Sequence, residues 1–320
     1  MKSCSYEVRP DGAMLRPVPG MKTLERYMMK TIYTLTCLGL FGTTTALAVD
    51  INESMDAAAD GTVGISNIAG SVEVQGWSRN QVEITGELGD DVEELIFVRD
   101  GDEIEIKVKT KRRNSHDIDS DLVIKVPQAS SLEINTVSAD IDVADVSGEQ
   151  SLESVSGDID TEAHDSDMDV NSVSGDIEVE GDSKDIRSRF STVSGDVETD
   201  NLTGEIGVES VSGDLVVVNG AFDRAALGTV NGDIVFHSEL RDEGRLDIET
   251  VNGSVDVEFS GEVSAHFDIE TFNGDIRNCF GPEAVRVSRY APGYELKFDE
   301  GDGSGRVTIE TLNGDLRLCK

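Results

Sequence analysis

The residues best placed to do chemistry come back at a fixed beat. Asp158, Asp176, Asp196, Asp214, Asp233, Asp275 and Asp315 each directly follow a glycine. Paired carboxylates are the equipment of general acid–base catalysis. A catalytic pair, however, is a local exception whose surroundings shift its pKa, and a column present in nearly every repeat is the repeat's own rule. Turn formation and solvation on an outward face account for it. Calcium is the alternative: like charges about 4.8 Å apart repel, and a divalent cation with oxygen ligands would relieve them. Calcium rolls of the nonapeptide type need paired glycines and Asp at a nine-residue beat. Here one glycine serves each unit, and Ser254 stands where an Asp should be. No metal ligand, catalytic residue or cofactor is therefore assigned.

The other chemical candidates are sparser. His116, His164, His237 and His266 are isolated in sequence, without metal-ligand spacing, and read as surface histidines. No glycine-rich phosphate loop or nucleophile elbow is present. A Ser/Thr column (Thr136, Ser154, Ser172, Thr192, Ser210, Thr229, Thr250, Thr271, Thr311) has the regularity of an ice-binding face, but its flanking column is acidic. Lys109, Lys111, Arg112 and Arg113 form the one basic cluster. It reads either as a phosphate or polysaccharide contact or as a solvated loop offsetting local acid.

The element that must position these residues is the repeat itself. Ser154-Val155-Ser156-Gly157-Asp158-Ile159 returns around Gly175, Gly195, Gly213, Gly232, Gly253, Gly274 and Gly314, and around Ala139 without the glycine. The first seven glycines are separated by 18, 20, 18, 19, 21 and 21 residues, and Gly314 follows after 40. A period near 20 marks a stacked repeat. Apolar residues recur five before the glycine (Ile134 to Ile309), two before (Val137 to Leu312) and two after (Ile141 to Leu316). Alternation at period two means short strands with one buried face. The three apolar columns are expected in the core, with the phase slip between the first and the other two taken up by a bulge near the Ser/Thr column. Ser precedes the glycine up to Ser212 and Asn from Asn231 onward, as side chains hydrogen-bonding up a ladder would favour. The expected fold is all-β: a single-stranded parallel β-helix (β-solenoid) of 18 to 21 residues per coil. A β-propeller would need blades of about 40 residues.

Three regions follow. Residues 1–48 read as a leader with a secretory signal peptide. Lys22, Arg26 and Lys30 precede an apolar run, and Ala46-Leu47-Ala48 supplies the cleavage site. Translation starting at Met21, Met28 or Met29 would fit this better than a start at Met1. Residues 49–132 read as an irregular β-rich N-terminal cap, covering an end that would otherwise expose core and strand edges. Residues 133–319 carry the repeats, interrupted at 280–305. Cleavage after Ala48 leaves 21 basic and 61 acidic residues, hence about −40. That charge disfavours nucleic acid and anionic membrane surfaces as partners, neither nucleic acid nor a transmembrane segment being expected for the exported chain. It keeps Cys279 and Cys319, each five residues after its glycine. In an oxidising compartment they are a disulfide candidate, with free thiols as the alternative. Adjacent rungs would bring the two within bridging range, whereas two rungs apart is too far. The bond would therefore require residues 280–305 to leave the stack.

Asn67-Ile68-Ala69-Gly70-Ser71-Val72, Trp77 with Asn80, the strand ending at Pro127, the Val-Ser-Gly-Asp ladder and the closing Thr311-Leu312-Asn313-Gly314-Asp315-Leu316 together resemble the "putative adhesin" family of secreted or envelope-associated bacterial proteins. The resemblance spans residues 62–319. It implies a right-handed parallel β-helix and brings no catalytic residues. The expectation is a non-enzymatic, exported adhesin-like or scaffold protein of the periplasm, outer envelope or cell exterior. It would present a rigid acidic surface to a protein or glycan partner. A carbohydrate-active β-helix enzyme and a calcium-binding structural protein are the alternatives. An off-repeat acid–base cluster in a groove would favour the first, and calcium-dependent melting the second.

Overall fold

The computed structural model describes residues 49–111, 118–289 and 292–320. The leader, Arg112, Arg113 and His116 lie outside the described residues. Every regular element described is a β-strand, and the 23 strands join in one hydrogen-bonded sheet. The fold is all-β and solenoid-like.

Each repeat supplies two strands separated by a corner. In the stretch around Gly157 these are Gln150–Ser154 and Ile159–Ala163. Repeats pair in parallel, column on column. On the first side Leu152 lies beside Val170, Val170 beside Phe190, and Phe190 beside Val208. On the second, Ile159 lies beside Ile177 and Ile177 beside Val197. Like residues therefore bury like residues, and the core is a continuous apolar file from Ile51 to Leu318.

The corner differs from the expectation in one respect that matters. The columns five before and two after the glycine are buried, except that Ile276 is half-buried. The column two before is not: Val137, Val155, Val173, Val193, Val211, Val230, Val251, Phe272 and Leu312 are 38–48% exposed. The Ser/Thr column beside it is buried instead. Alternation runs unbroken to the valine, so the Ser/Thr points in and the valine out. The chain then folds over at the Ser/Asn–Gly pair. Most of the inward hydroxyls serve this bend, whereas those of Thr192, Ser210 and Thr250 are buried without a hydrogen-bond partner. Ser154 and Ser172 Oγ accept from the Gly157 and Gly175 amides at 2.9 and 2.8 Å. Thr229 Oγ1 donates to the Gly213 carbonyl at 3.2 Å. Burial also removes the hydroxyls from any ice-facing surface.

The stack is not wholly parallel, and it does not follow chain order at either end. Thr62–Trp77 lies between Ser131–Ala144 on one side and Glu103–Thr110 with Asp119–Pro127 on the other, all parallel to it. Gln81–Leu88 and Val92–Asp100 add antiparallel strands outside these, and Val49–Asp56 pairs antiparallel with Gln81–Leu88. At the other end Gly305–Asn313 slots between the Ile234–Asn252 strand and Ala265–Asn273, so that Ile309 lies beside both Ile248 and Ile269. The interruption at 280–305 supplies the outermost strands: Tyr294–Glu300 pairs antiparallel with Ala265–Asn273 and with Val285–Arg286. Antiparallel strands appear where repetition stops, because a parallel neighbour needs a full crossover and a hairpin does not. Phe259, Phe267, Phe280 and Phe298 fill this end, with Phe267 stacked on Phe298 at 4.5 Å. Cys279 and Cys319 are joined in a disulfide, Cα atoms 4.9 Å apart, tying the inserted rung to its outer neighbour.

The corner glycines approach one another too closely for any side chain. A Cβ on Gly213 would overlap the Gly195 carbonyl oxygen, and the same holds up the column to Gly274, which sits on Gly314. Gly207 meets nothing within 4 Å. Substituting Gly213→Ala should cost roughly 1–3 kcal/mol or more, read as a lowered denaturation midpoint. Gly207→Ala should be neutral or slightly stabilising. Equal effects of the two would contradict the stacked corner.

Candidate functional site

The outward valines form a ladder because the register holds over the whole stack. The Ser156 amide donates to the Val137 carbonyl at 2.9 Å, Ser174 to Val155 at 3.0 Å and Ser194 to Val173 at 2.9 Å. In spatial order the ladder runs from Val137 through Val251 to Leu312 and Phe272. Its length is roughly 38 Å, at about 4.8 Å per rung. Two residues back along each strand, on the same face, stand Glu153, Glu209, Glu249, Glu310 and Glu270, with smaller residues between. One edge of the apolar stripe is thus acidic. Monomeric surfaces seldom expose apolar area this continuous without using it.

At the C-terminal end the stripe sinks into an open groove of about 860 Å³. Val230, Val251, Leu312 and Phe272 form its floor, and Val287 and Tyr294 of the outer hairpin wall it. Arg286 lies over the Tyr294 ring at 5.8 Å.

The corner aspartates have a structural job. Asp140 Oδ1 accepts from the Asp158 amide at 3.1 Å, Asp158 from Asp176 at 3.0 Å, Asp176 from Asp196 at 2.9 Å, Asp196 from Asp214 at 2.8 Å and Asp214 from Asp233 at 2.7 Å. Each carboxylate therefore satisfies a backbone N–H that the corner leaves unpaired, a charge-assisted bond. The Ser254 amide donates the same bond to Asp233, and the Asp275 amide donates it to Asp315. The asparagines form a parallel ladder, Asn252 to Asn231 at 3.0 Å, Asn313 to Asn252 at 2.9 Å and Asn273 to Asn313 at 2.8 Å. Among the described residues no group of three or more His, Cys, Asp or Glu side chains is arranged to hold a metal. His164, His237 and His266 sit apart, each beside a carboxylate: Asp182 at 3.3 Å, Asp256 at 3.7 Å and Asp299 at 2.6 Å. Lys109 and Lys111 of the basic cluster face Glu94 and Asp91.

A second carboxylate row lies on the other strand. Glu73, Asp142, Asp160, Glu178 and Glu198 are consecutive in register. Partial desolvation, followed by the charges of Glu178, Asp142, Glu162 and Glu180, pushes Asp160 up to about 6. Asp142 and Glu198 are raised for the same reasons, desolvation first. This row stores repulsion that nothing on it offsets.

Sequence reasoning missed the outward valines. The signal was present: adjacent Ser/Thr and Val columns cannot both face the core of an extended strand. Hydrophobicity assigned the valine inward, whereas strict alternation from the buried apolar residue two positions before each Ser/Thr decides the matter.

The Toastrack DUF4097 family model matches residues 71–318. The chain belongs to this family. No curated protein sequence matches the chain. Among solved structures, a "putative adhesin" from Parabacteroides distasonis is 10% identical with a TM-score of 0.47, covering 85% of this chain and 98% of its own. A "putative lipid binding protein" from the same organism is 11% identical, TM-score 0.47, covering 83% and 96%. A "putative cell adhesion protein" from Clostridium sporogenes is 9% identical, TM-score 0.28, covering 85% and 99%. Among the described residues no helix is long and apolar enough to cross a membrane.

The carboxylate row of this Toastrack chain sets a pH dependence. A carboxyl group raised to about 6 in the folded protein binds its proton more tightly there than in the unfolded chain. Its stabilisation is full below about pH 4 and is lost as pH rises through 6. Lowering pH from 7 to 5 should therefore raise the melting temperature. Asp160→Asn should raise it at pH 7 by a few degrees, on the order of 1 kcal/mol after allowing for solvent screening, and flatten the slope between pH 5 and 7. A melting temperature that falls over that interval would contradict the assignment.

Proposed function

We propose that this Toastrack protein is a non-enzymatic, exported module of the bacterial envelope or cell exterior, adhesin-like or scaffold-like, that engages a surface partner through its long outer face. The observation that carries this reading is the ladder of nine exposed apolar residues beside an acidic row. An enzyme would concentrate its chemistry in one place. Here the regular columns extend the same chemistry along the whole stack, which suits contact with an extended surface. The inserted rung, held by Cys279–Cys319, and the capped ends favour a rigid particle outside the reducing cytosol. No cofactor is needed. In this reading the repeats wind as a right-handed single-stranded coil of 18 to 21 residues, as the family resemblance implies, and the partner is a protein or glycan of the envelope.

The test is adhesion of the purified protein, immobilised on beads, to intact bacterial cells and isolated envelopes. A triple substitution Val211→Ser, Val230→Ser, Val251→Ser removes apolar area without touching the core, so the melting temperature should hardly change. Retention on envelopes should drop at least tenfold, because burying each valine contributes roughly 1–2 kcal/mol. Retention equal to that of the parent protein would refute the apolar ladder as the contact surface.

A further inference from the structure

Against the acidic background of residues 49–320, three arginines stand together without an acidic partner. Arg224 lies beside Arg245 in the parallel register, Arg245 beside Arg306, and Arg306 beside His266. The out-of-order closing rung makes this row: it sets Arg306 between Arg245 and His266. Neighbouring rungs are about 4.8 Å apart, so the guanidinium groups repel one another. Several cations elsewhere on the stack are matched. Arg187 reaches Asp167 and Glu205, Arg241 reaches Asp185 and Asp223, Arg317 reaches Asp256 and Glu258, and Lys297 reaches Asp268 and Glu270. Among the described residues the side chains of Arg224, Arg245 and Arg306 make no hydrogen bond or ion pair. Of the nearby acids, Glu205, beside Arg224 in the register, is taken by Arg187, Asp223 by Arg241, Asp268 by Lys297 and Asp299 by His266, while Glu243 and Asp247 form no ion pair among the described residues.

The row borders a cleft of about 300 Å³ lined by Arg245, Arg306 and His266, by the Gly303-Ser304-Gly305 turn and by Glu243. Glu243 is the one carboxylate among these lining residues. All three arginines are solvent-exposed. They share the outer face of the valine ladder, six residues back along each strand, with Ala226, Asp247, Thr308 and Asp268 as the next row.

We propose that Arg224, Arg245, Arg306 and His266 form a binding site for a linear acidic glycan, one carrying carboxylate, sulfate or phosphate groups along its chain. A single ion would need one pocket, whereas three forks in file match charges repeated along a polymer. Guanidinium groups pair with such oxyanions in a bidentate manner and are more weakly hydrated than ammonium groups. At physiological salt, charges beyond about 8 Å are largely screened, so the protein's overall negative charge does not cancel this row. Nucleic acid is the other linear polyanion. It fits less well, because three cations fall short of the 6–10 phosphate contacts typical of such binding, and no aromatic platform for bases lines the cleft. The proposal takes its setting from the surface-interaction reading but does not depend on the valine ladder.

The test is calorimetric titration of the purified full chain, at fixed ionic strength, with four probes: a galacturonate oligosaccharide, its neutral galactose counterpart, inorganic phosphate and a single-stranded DNA oligonucleotide. The acidic oligosaccharide should bind and its neutral counterpart should not. Arg245→Gln with Arg306→Gln should weaken binding at least tenfold while the melting temperature holds or rises, since repulsion is relieved. Arg245→Lys with Arg306→Lys should keep part of the affinity. The triple valine variant should bind as the parent does, which separates failure of this site from failure of the ladder. No binding of the acidic oligosaccharide would overturn the proposal. So would phosphate or DNA binding as tightly, or a Gln variant that binds unchanged.

Discussion

The rest of the structure hangs on the contact between one corner and the next. At each corner the backbone passes so close to the neighbouring rung that the glycine carbonyl occupies the space where a Cβ would be. That contact fixes the direction of the fold-over and leaves one amide per rung pointing outward. The following aspartate of the neighbouring rung caps that amide, and the preceding Ser/Thr braces the bend from inside. Three adjacent residue types thus have one cause. The valine left between the inward hydroxyl and the corner has no choice but to face solvent, and the exposed ladder follows from backbone geometry rather than from any feature added to it.

This division explains how much was legible in the sequence. The period, the strands, the buried columns at Leu152 and Ile159 and the hydrogen-bonded Asn ladder all follow from spacing and side-chain character. The outward turn of Val211 did not, because hydrophobicity argued for burial, whereas alternation from the buried Val208 places Ser210 inside and Val211 outside. Stacking order was also hidden. Chain order places the Gly274 repeat on the Gly253 repeat, yet Gly314 sits on Gly253 and Gly274 on Gly314. Nothing in the columns distinguishes these orders, since every rung offers the same ladder of Ile, Thr and Asn. The arginine row was invisible for the same reason: Arg306 joins Arg245 and His266 only through the insertion.

The two ends obey one logic. At the N-terminal end later strands enclose the Thr62–Trp77 rung, at the C-terminal end the last rung slots inside an earlier one, and in both antiparallel strands finish the edge. An open parallel edge is a template for uncontrolled pairing, and both arrangements cover it with strands that cannot propagate the repeat. At the C-terminal end the aromatic cluster and the disulfide add packing and a covalent tie. The result is a stack bearing an apolar line, an acidic line and a short basic line on one face.

The claim on which all of this rests is that Ser210 faces in and Val211 faces out. The most direct measurement is thiol labelling of two single substitutions, Ser210→Cys and Val211→Cys, with the native disulfide intact. Under native conditions the thiol at 211 should react with a maleimide nearly as fast as in the denatured chain, and the thiol at 210 should react only on unfolding. A protected thiol at 211 with a reactive one at 210 would place the valines in the core and remove both the ladder and the account of the corner.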